Sequence, residues 1–148
     1  MISIRIAQTP EGGLRRAAER ARSSAPAWRV IAQRLRSSIL KNFEDGGWYP
    51  QDWPASQRAK KTGGMTLVDN AHLRNSVHGR SGTSYAAAGP QGIVYAAIHQ
   101  FGGMAGPGRS VEIPARPYLP ERDGRLHNSD AVFVDAVLGR YIAEGRTS

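Results

Sequence analysis

Pro114, Pro117 and Pro120 restrict the fold of this chain more than any other feature of its sequence. Each proline fixes its own φ near −65°, lacks an amide donor and pushes the residue before it into extended geometry. Arg116 is therefore held on a stiff rail between Pro114 and Pro117, in the run Ile113-Pro114-Ala115-Arg116-Pro117-Tyr118-Leu119. Ahead of the rail, Tyr95, Ile98 and Phe101 recur three apart, which suits one helical turn with a single apolar face, and Gly102-Gly103 end that turn at little cost. The glycine-rich tip at about 102–110 that joins the two parts reads as mobile. An ordered, non-repeating segment such as the rail exists to be packed against.

The remainder of the chain supplies what packs. Its 148 residues fit one domain over 1–148, and 17 glycines signal many turns around a small core. Ile2-Ser3-Ile4-Arg5-Ile6 alternates as a half-buried strand does, and Thr9-Pro10-Glu11 starts a helix through Leu14, Ala17, Ala18 and Ala21. Gly12 and Gly13 each cost that helix about 1 kcal/mol against alanine, so it needs a partner to lie on. A second helix is better specified: Ser24 caps it, Pro26 sits in its first turn, Gly46-Gly47 end it, and Trp28, Ile31, Leu35, Ile39 and Phe43 form its apolar stripe. Arg29, Arg34, Arg36 and Lys41 fall mostly off that stripe.

From Gly46 to Met65 the periodicity vanishes, and an irregular loop is expected. It carries Trp48-Tyr49-Pro50 and Trp53-Pro54, then Arg58, Lys60 and Lys61. Aromatic rings beside cations suit stacked bases with phosphates. The same residues suit a protein partner, and a tryptophan next to proline also serves to pin a loop to a core; the three readings stay open. Asp69 starts a short helix over Asn70 to Asn75. Val77 to Arg80, Ser84 to Ala88 and Gly92 to Val94 read as an antiparallel meander whose alanines admit a close neighbour, a helix of the same domain. A last helix, capped by Ser129 or Asp130 and closed by Gly145, aligns Val134, Val137, Leu138 and Tyr141 to cover a sheet face. The fold class is α+β: an N-terminal strand, two helices, a small antiparallel sheet and a C-terminal helix.

The formal charge of +8 is concentrated in the first part of the chain. Residues 1–45 hold nine Lys/Arg against four Asp/Glu, residues 46–80 five against two, and residues 81–148 six against six. A basic half beside a neutral half fits a surface that meets a polyanion, and equally a solvated basic helix.

Catalytic patterns are missing. The four histidines, His72, His78, His99 and His127, have neither the i, i+4 spacing nor the glutamate of a helical zinc site. With no cysteine there is no thiolate nucleophile or cysteine metal ligand. The acidic residues sit in cap and surface contexts, and the glycines fit no phosphate-binding fingerprint. No enzyme, cofactor or metal is expected, and no window is apolar enough for a membrane span. His99 and Gln100 either contact a neighbouring subunit or bond the backbone of the rail. Arg116 either bridges a carboxylate or carbonyls of its own chain or reaches a subunit boundary.

Tyr95-Ala96, His99-Gln100-Phe101-Gly102-Gly103 and the rail resemble the tailed-phage virion-morphogenesis family of tail-completion proteins. There, a YA…HQFGG element precedes an IPARPFLG-like one. The resemblance extends upstream through Trp48-Tyr49-Pro50, Thr66 to Val77 and Ala88-Gly89, with His72 where the family has glycine and Tyr118 where phenylalanine is usual. It implies a structural protein that completes the tail or joins tail to head, with copies forming a ring, commonly sixfold, around the DNA passage. The partners implied are sister copies and adjacent neck, connector or tail-tube proteins, with assembly in the host cytoplasm and residence in the virion. Tyr95, His99, Gln100, Phe101, Arg116 and Tyr118 are then the subunit-interface candidates. Trp48, Trp53, Arg58, Lys60 and Lys61 are the candidates for facing DNA or a partner. The competing reading is a free DNA-binding protein acting through its N-terminal helices and the 46–65 loop.

Overall fold

The computed structural model describes residues 10–48, 51–69 and 71–148. The strand expected over Ile2–Ile6, the Thr9 cap and the side chain of Trp48 lie outside the described residues. The elements are α1 (Pro10–Arg22), α2 (Ala25–Asp45), β1 (Gly47–Trp48), β2 (Gln51–Asp52), α3 (Gln57–Thr62), α4 (His72–Asn75), β3 (Val77–Ser81), β4 (Ala86–Pro90), α5 (Ala96–Phe101), β5 (Gly103–Ala105), β6 (Val111–Ile113), β7 (Glu121–Arg122), β8 (Arg125–Leu126) and α6 (Asn128–Glu144). The class is α+β, and among the described residues the strands pair as four antiparallel hairpins.

The central helix, α2, serves both halves of the core. At one end Ile39 and Phe43 meet Trp53, Leu73, Val77 and Tyr118. At the other, Ala27 and Ile31 meet Val137 of α6, with Trp28, Leu35, Phe133 and Leu138 half-buried around them. The stripe read from the sequence is the one that packs, and Gly46 closes the helix in the left-handed region, donating its N–H to the Asn42 carbonyl. Ser24 occupies the N-cap position but does not cap through its side chain. Its Oγ donates to the Arg20 carbonyl at 2.7 Å, and its N–H donates to the Thr83 carbonyl at 2.9 Å, so the elbow between α1 and α2 is tied to the β3–β4 turn.

The β3–β4 hairpin lies against α2, as its alanines allow. A Cβ on Gly79 would stand 2.9 Å from the Ala32 carbonyl oxygen, so only glycine lets strand and helix approach this closely. Ala88 and Ala86 join the two ends of the core. The third meander strand expected at Gly92–Val94 is a turn instead, with Val94 fully exposed.

Two segments without periodicity are ordered by local bonds. Within 46–65, β1 and β2 form a two-residue hairpin, and α3 is capped by Ser56, whose Oγ accepts the Ala59 N–H at 3.0 Å. The tip at 102–110 is likewise a hairpin, β5 against β6, closed by a 3-10 turn at Pro107–Arg109. Strands of two or three residues and a six-residue helix are too short to show a repeat, hence the expectation of loops. The short helix near Asp69 begins later than expected, at His72.

α1 has the partner it needs in α6. Arg20 donates from Nε and Nη2 to the Ile142 and Ala143 carbonyls, each at 2.7 Å, satisfying the open C-terminal end of α6. Leu14, expected on the packed face, is 73% exposed. α6 also differs from expectation: it rests on α1 and α2, because α2 already occupies the sheet face. Its N-cap position is His127, and Asp130 is no cap. The Asp130 carboxylate is buried, with Oδ1 accepting from Arg34 Nε at 2.7 Å and Ser38 Oγ at 2.8 Å. Arg34 also lies over the Phe133 ring, 5.2 Å from its centroid. Replacing Asp130 by alanine strands that half-exposed guanidinium and should cost about 2–3 kcal/mol. Urea denaturation should show the loss as a lower midpoint with an unchanged slope.

Candidate functional site

Between its prolines the rail joins no strand, yet it runs through the interior, so its backbone groups must be satisfied singly. The Arg116 N–H donates to the His99 carbonyl at 2.7 Å. The Pro117 carbonyl accepts Trp53 Nε1–H at 2.8 Å, and the Tyr118 carbonyl accepts from Asn42 Nδ2 at 2.9 Å. Gln100 Oε1 accepts two amides, Tyr118 at 2.9 Å and Leu119 at 3.1 Å. Three separate parts of the chain, α2, the segment after β2 and α5, thus converge on Arg116–Leu119.

The side chains of the rail are equally committed. Arg116 is 6% exposed and donates from Nε to the Pro54 carbonyl at 2.8 Å, the intramolecular alternative for this residue. The Tyr118 ring stacks on Phe43 at 5.4 Å, and its hydroxyl donates to the Ala96 carbonyl at 2.9 Å; burial pushes that phenol up to about 12. Trp53 meets Phe43 edge-on at 5.6 Å. Of the three readings for Trp53, the one its side chain fulfils is the pin.

Gly102 explains why the helical turn and the rail occur together. Its φ of 73° is left-handed, and a Cβ there would lie 2.9 Å from the Ala115 amide nitrogen and 3.0 Å from the Ile113 oxygen. The rail crosses directly over the end of α5.

Gln100, Arg116 and Tyr118 are therefore interior, so their side chains cannot reach a second molecule without leaving these bonds. Of the subunit-interface candidates, Tyr95 and Phe101 are at the surface, Phe101 being 73% exposed. The structure adds Val94, Met104 and Val111, exposed apolar residues on the turn before α5 and on the β5–β6 hairpin. For Met104 and Val111 the signal in the sequence was an apolar residue in an otherwise glycine-rich or polar run, whereas Val94 lies in the apolar run Ile93 to Ile98 and carried none. His99 lies half-inside, edge-on to Tyr95 at 5.6 Å, and its buried Nδ1 has no partner among the described residues. Burial lowers its pKa, and the nearby Arg116 charge lowers it further. Among the DNA or partner candidates, Arg58 donates to the Met65 carbonyl at 2.7 Å and pairs with Asp69 at 3.3 Å, while Lys60 and Lys61 project from the last turn of α3.

A cleft of about 280 Å³ opens beside the start of α6. Its charges are already matched, Asp130 by Arg34 and Asp45 by Lys41. No group of three or more metal-ligating side chains gathers among the described residues, and no helix among them is long and apolar enough to cross a membrane.

Comparison with known proteins decides the family. The phage virion morphogenesis family matches residues 7–141. The chain belongs to that family. It is also 42% identical, over 118 residues, to the Mu-like prophage FluMu G protein 2 of Haemophilus influenzae, a match covering 80% of this chain and 81% of that protein. No solved structure matches. Membership gives the protein a structural role in virion assembly. The HQFGG and IPARPYL elements that carried the resemblance are the ones whose backbones meet at Gly102 and Arg116.

Two measurements test this centre. Gln100→Ala leaves the buried Tyr118 and Leu119 amides without an acceptor and should lower stability by about 2 kcal/mol or more, read as a drop in thermal midpoint. The second concerns His99, whose folded pKa lies below its ordinary 6.5, so the unfolded chain takes up its proton first as pH falls. The contribution of His99 to stability is present above pH 6.5 and declines as pH drops from 6.5 through the folded value. His99→Gln should flatten the acid side of the stability profile in that window.

Proposed function

We propose that this virion-assembly protein completes the tail or joins tail to head, and that copies close into a ring around the DNA passage, sixfold as in the proteins it resembles. The observation that carries this reading is the set of exposed apolar side chains at Val94, Tyr95, Phe101, Met104 and Val111 on elements held by the rail. Large apolar groups left in water on a fixed support are suited to burial against another molecule. α5 and the β5–β6 hairpin supply the protruding half of a heterologous contact, and the receiving half lies elsewhere on a sister copy or on a neck, connector or tail-tube protein. Contacts of that kind close a ring when the rotation between copies divides a full turn. The role requires shape and rigidity and no bond-making chemistry.

The triple variant Phe101→Ser, Met104→Ser, Val111→Ser tests the proposal. All three side chains are exposed, so the isolated variant should keep its thermal midpoint. When it complements a prophage lacking this gene, tailed particles counted by electron microscopy should fall at least tenfold, to about a tenth, because losing interface anchors costs about 2 kcal/mol each. Separate heads and tails should accumulate. Wild-type particle numbers from a folded variant would overturn the proposal.

A further inference from the structure

Two long stretches contain no acidic residue, 20–43 and 70–111, and the fold lays them against each other. The first holds the elbow and nearly all of α2, and the second holds β3 and β4. Along their contact the cations divide into two groups. Arg20, Arg34 and Lys41 are spent on carbonyls or carboxylates of the same chain, and Arg74 pairs with Glu44. Arg22, Arg29 and Arg80 are exposed and make no ion pair or side-chain hydrogen bond among the described residues. Arg36, also exposed, donates only from Nε, to the Val77 carbonyl at 3.0 Å.

These four arginines surround the contact between α2 and the β3–β4 hairpin. Arg29 and Arg36 lie seven residues apart on the α2 flank that also carries Ala32, and are separated by about 10 Å along the helix axis. Ala32 is the point where Gly79 of β3 touches α2, and Arg36 reaches the start of the same strand. Gly79 faces the helix, so its neighbours His78 and Arg80 point to the opposite side of the strand, about 7 Å apart. Arg22 ends α1 at the elbow, which is bonded to the β3–β4 turn. β3 has no strand on its outer side among the described residues, so the cations of α2 on one side and Arg80 and His78 on the other flank an open edge.

We infer that this edge, formed by Arg22, Arg29 and Arg36 beside Arg80 and His78, binds the phosphate backbone of duplex DNA without regard to sequence. Charge complementarity selects a polyanion, since no carboxylate belongs to either stretch. The absence of lysine from this set favours phosphate, which the planar guanidinium fork matches in two-pronged fashion. An acidic protein surface fits less well, because the residues paired with His78 and Arg80 across the hairpin are Gly89 and Ala87, which offer no anchor for a protein interface. The large side chain nearby, Tyr85, is laid over Gly82 at the turn. This surface differs from the basic loop expected to face DNA, where Arg58 is occupied internally. The inference is also independent of the tail-joining proposal, since it concerns the isolated chain.

The test uses the purified full chain and fluorescein-labelled duplexes of two unrelated sequences, with anisotropy followed from about 50 to about 200 mM salt. Four phosphate contacts give a slope of about −3.6 in log K against log salt, an affinity loss of roughly a hundredfold over that range, the same for both sequences. Arg29→Gln with Arg80→Gln removes two contacts without breaking an internal bond, so the loss should shrink to roughly tenfold. Lys60→Gln with Lys61→Gln removes equal charge elsewhere and should leave the slope unchanged. Absence of binding at the lowest salt overturns the inference, as does a lysine variant whose slope falls as far as that of the arginine variant.

Discussion

Gln100 holds the position from which the rest of this structure follows. One carboxamide oxygen receives two backbone amides of a buried extended segment that no strand can pair with, because prolines interrupt its donors. A buried amide left without an acceptor costs about 1–3 kcal/mol, so the segment is stable inside the protein only while Gln100, Asn42 and Trp53 are all in place. Those residues belong to α5, α2 and the stretch after β2, which makes the assembly of three distant parts of the chain one cooperative event. Phe43 reinforces it by lying between Trp53 and Tyr118.

Rigidity at the centre has a consequence at the surface. Gly102 brings the end of α5 into van der Waals contact with the rail, and β5 begins at the next residue, so the hairpin inherits its direction from the rail. A protein that works by contact must present apolar groups to water in a fixed arrangement without collapsing onto them. Here the large side chains that could have collapsed are already buried beneath, and Phe101, Met104 and Val111 remain outside.

What the sequence disclosed, and what it hid, follows from the length and chemistry of each element. α2 was legible because five large residues over several turns leave a repeat that no other structure produces, and the rail because proline dictates its backbone unaided. Gln100 and Arg116 were recognisable as special but ambiguous, since a side chain built for a rigid carbonyl or amide partner reads the same whether that partner is its own chain or another. Asp130 misled for a related reason: its position near a helix start is that of a capping residue, and only the tertiary placement of Arg34 and Ser38 shows that the carboxylate turns inward. Asn42 carried a usable signal, a polar residue beside Phe43 on an apolar stripe, which marks a buried partner in need of a donor. Gly92–Val94 has strand-like composition, but Pro90 ends β4 and a turn leads into α5, so local preference yields to the path of the chain.

The net charge can be divided in the same way. Arginines are usually counted as surface, yet Arg116 is interior, Arg20 closes the end of a helix, and Arg34 neutralises a buried carboxylate. These cations hold the fold together and contribute little to what the protein shows its surroundings. Removing them from the count leaves a smaller set that includes Arg22 of α1, Arg29 and Arg36 of α2, Lys60 and Lys61 of α3 and Arg80 of β3, and in α1 and α2 opposite sides of the helix separate internal use from exposure. Arg34 and Arg36 make the point within two residues: a rotation of about 200° around α2 takes one to Asp130 in the interior and the other to the rim of an open strand. A helix placed between a second helix and a sheet has only a narrow strip left for solvent, and in this protein that strip carries Arg29 and Arg36 and holds its carboxylates, Glu44 and Asp45, at the C-terminal end.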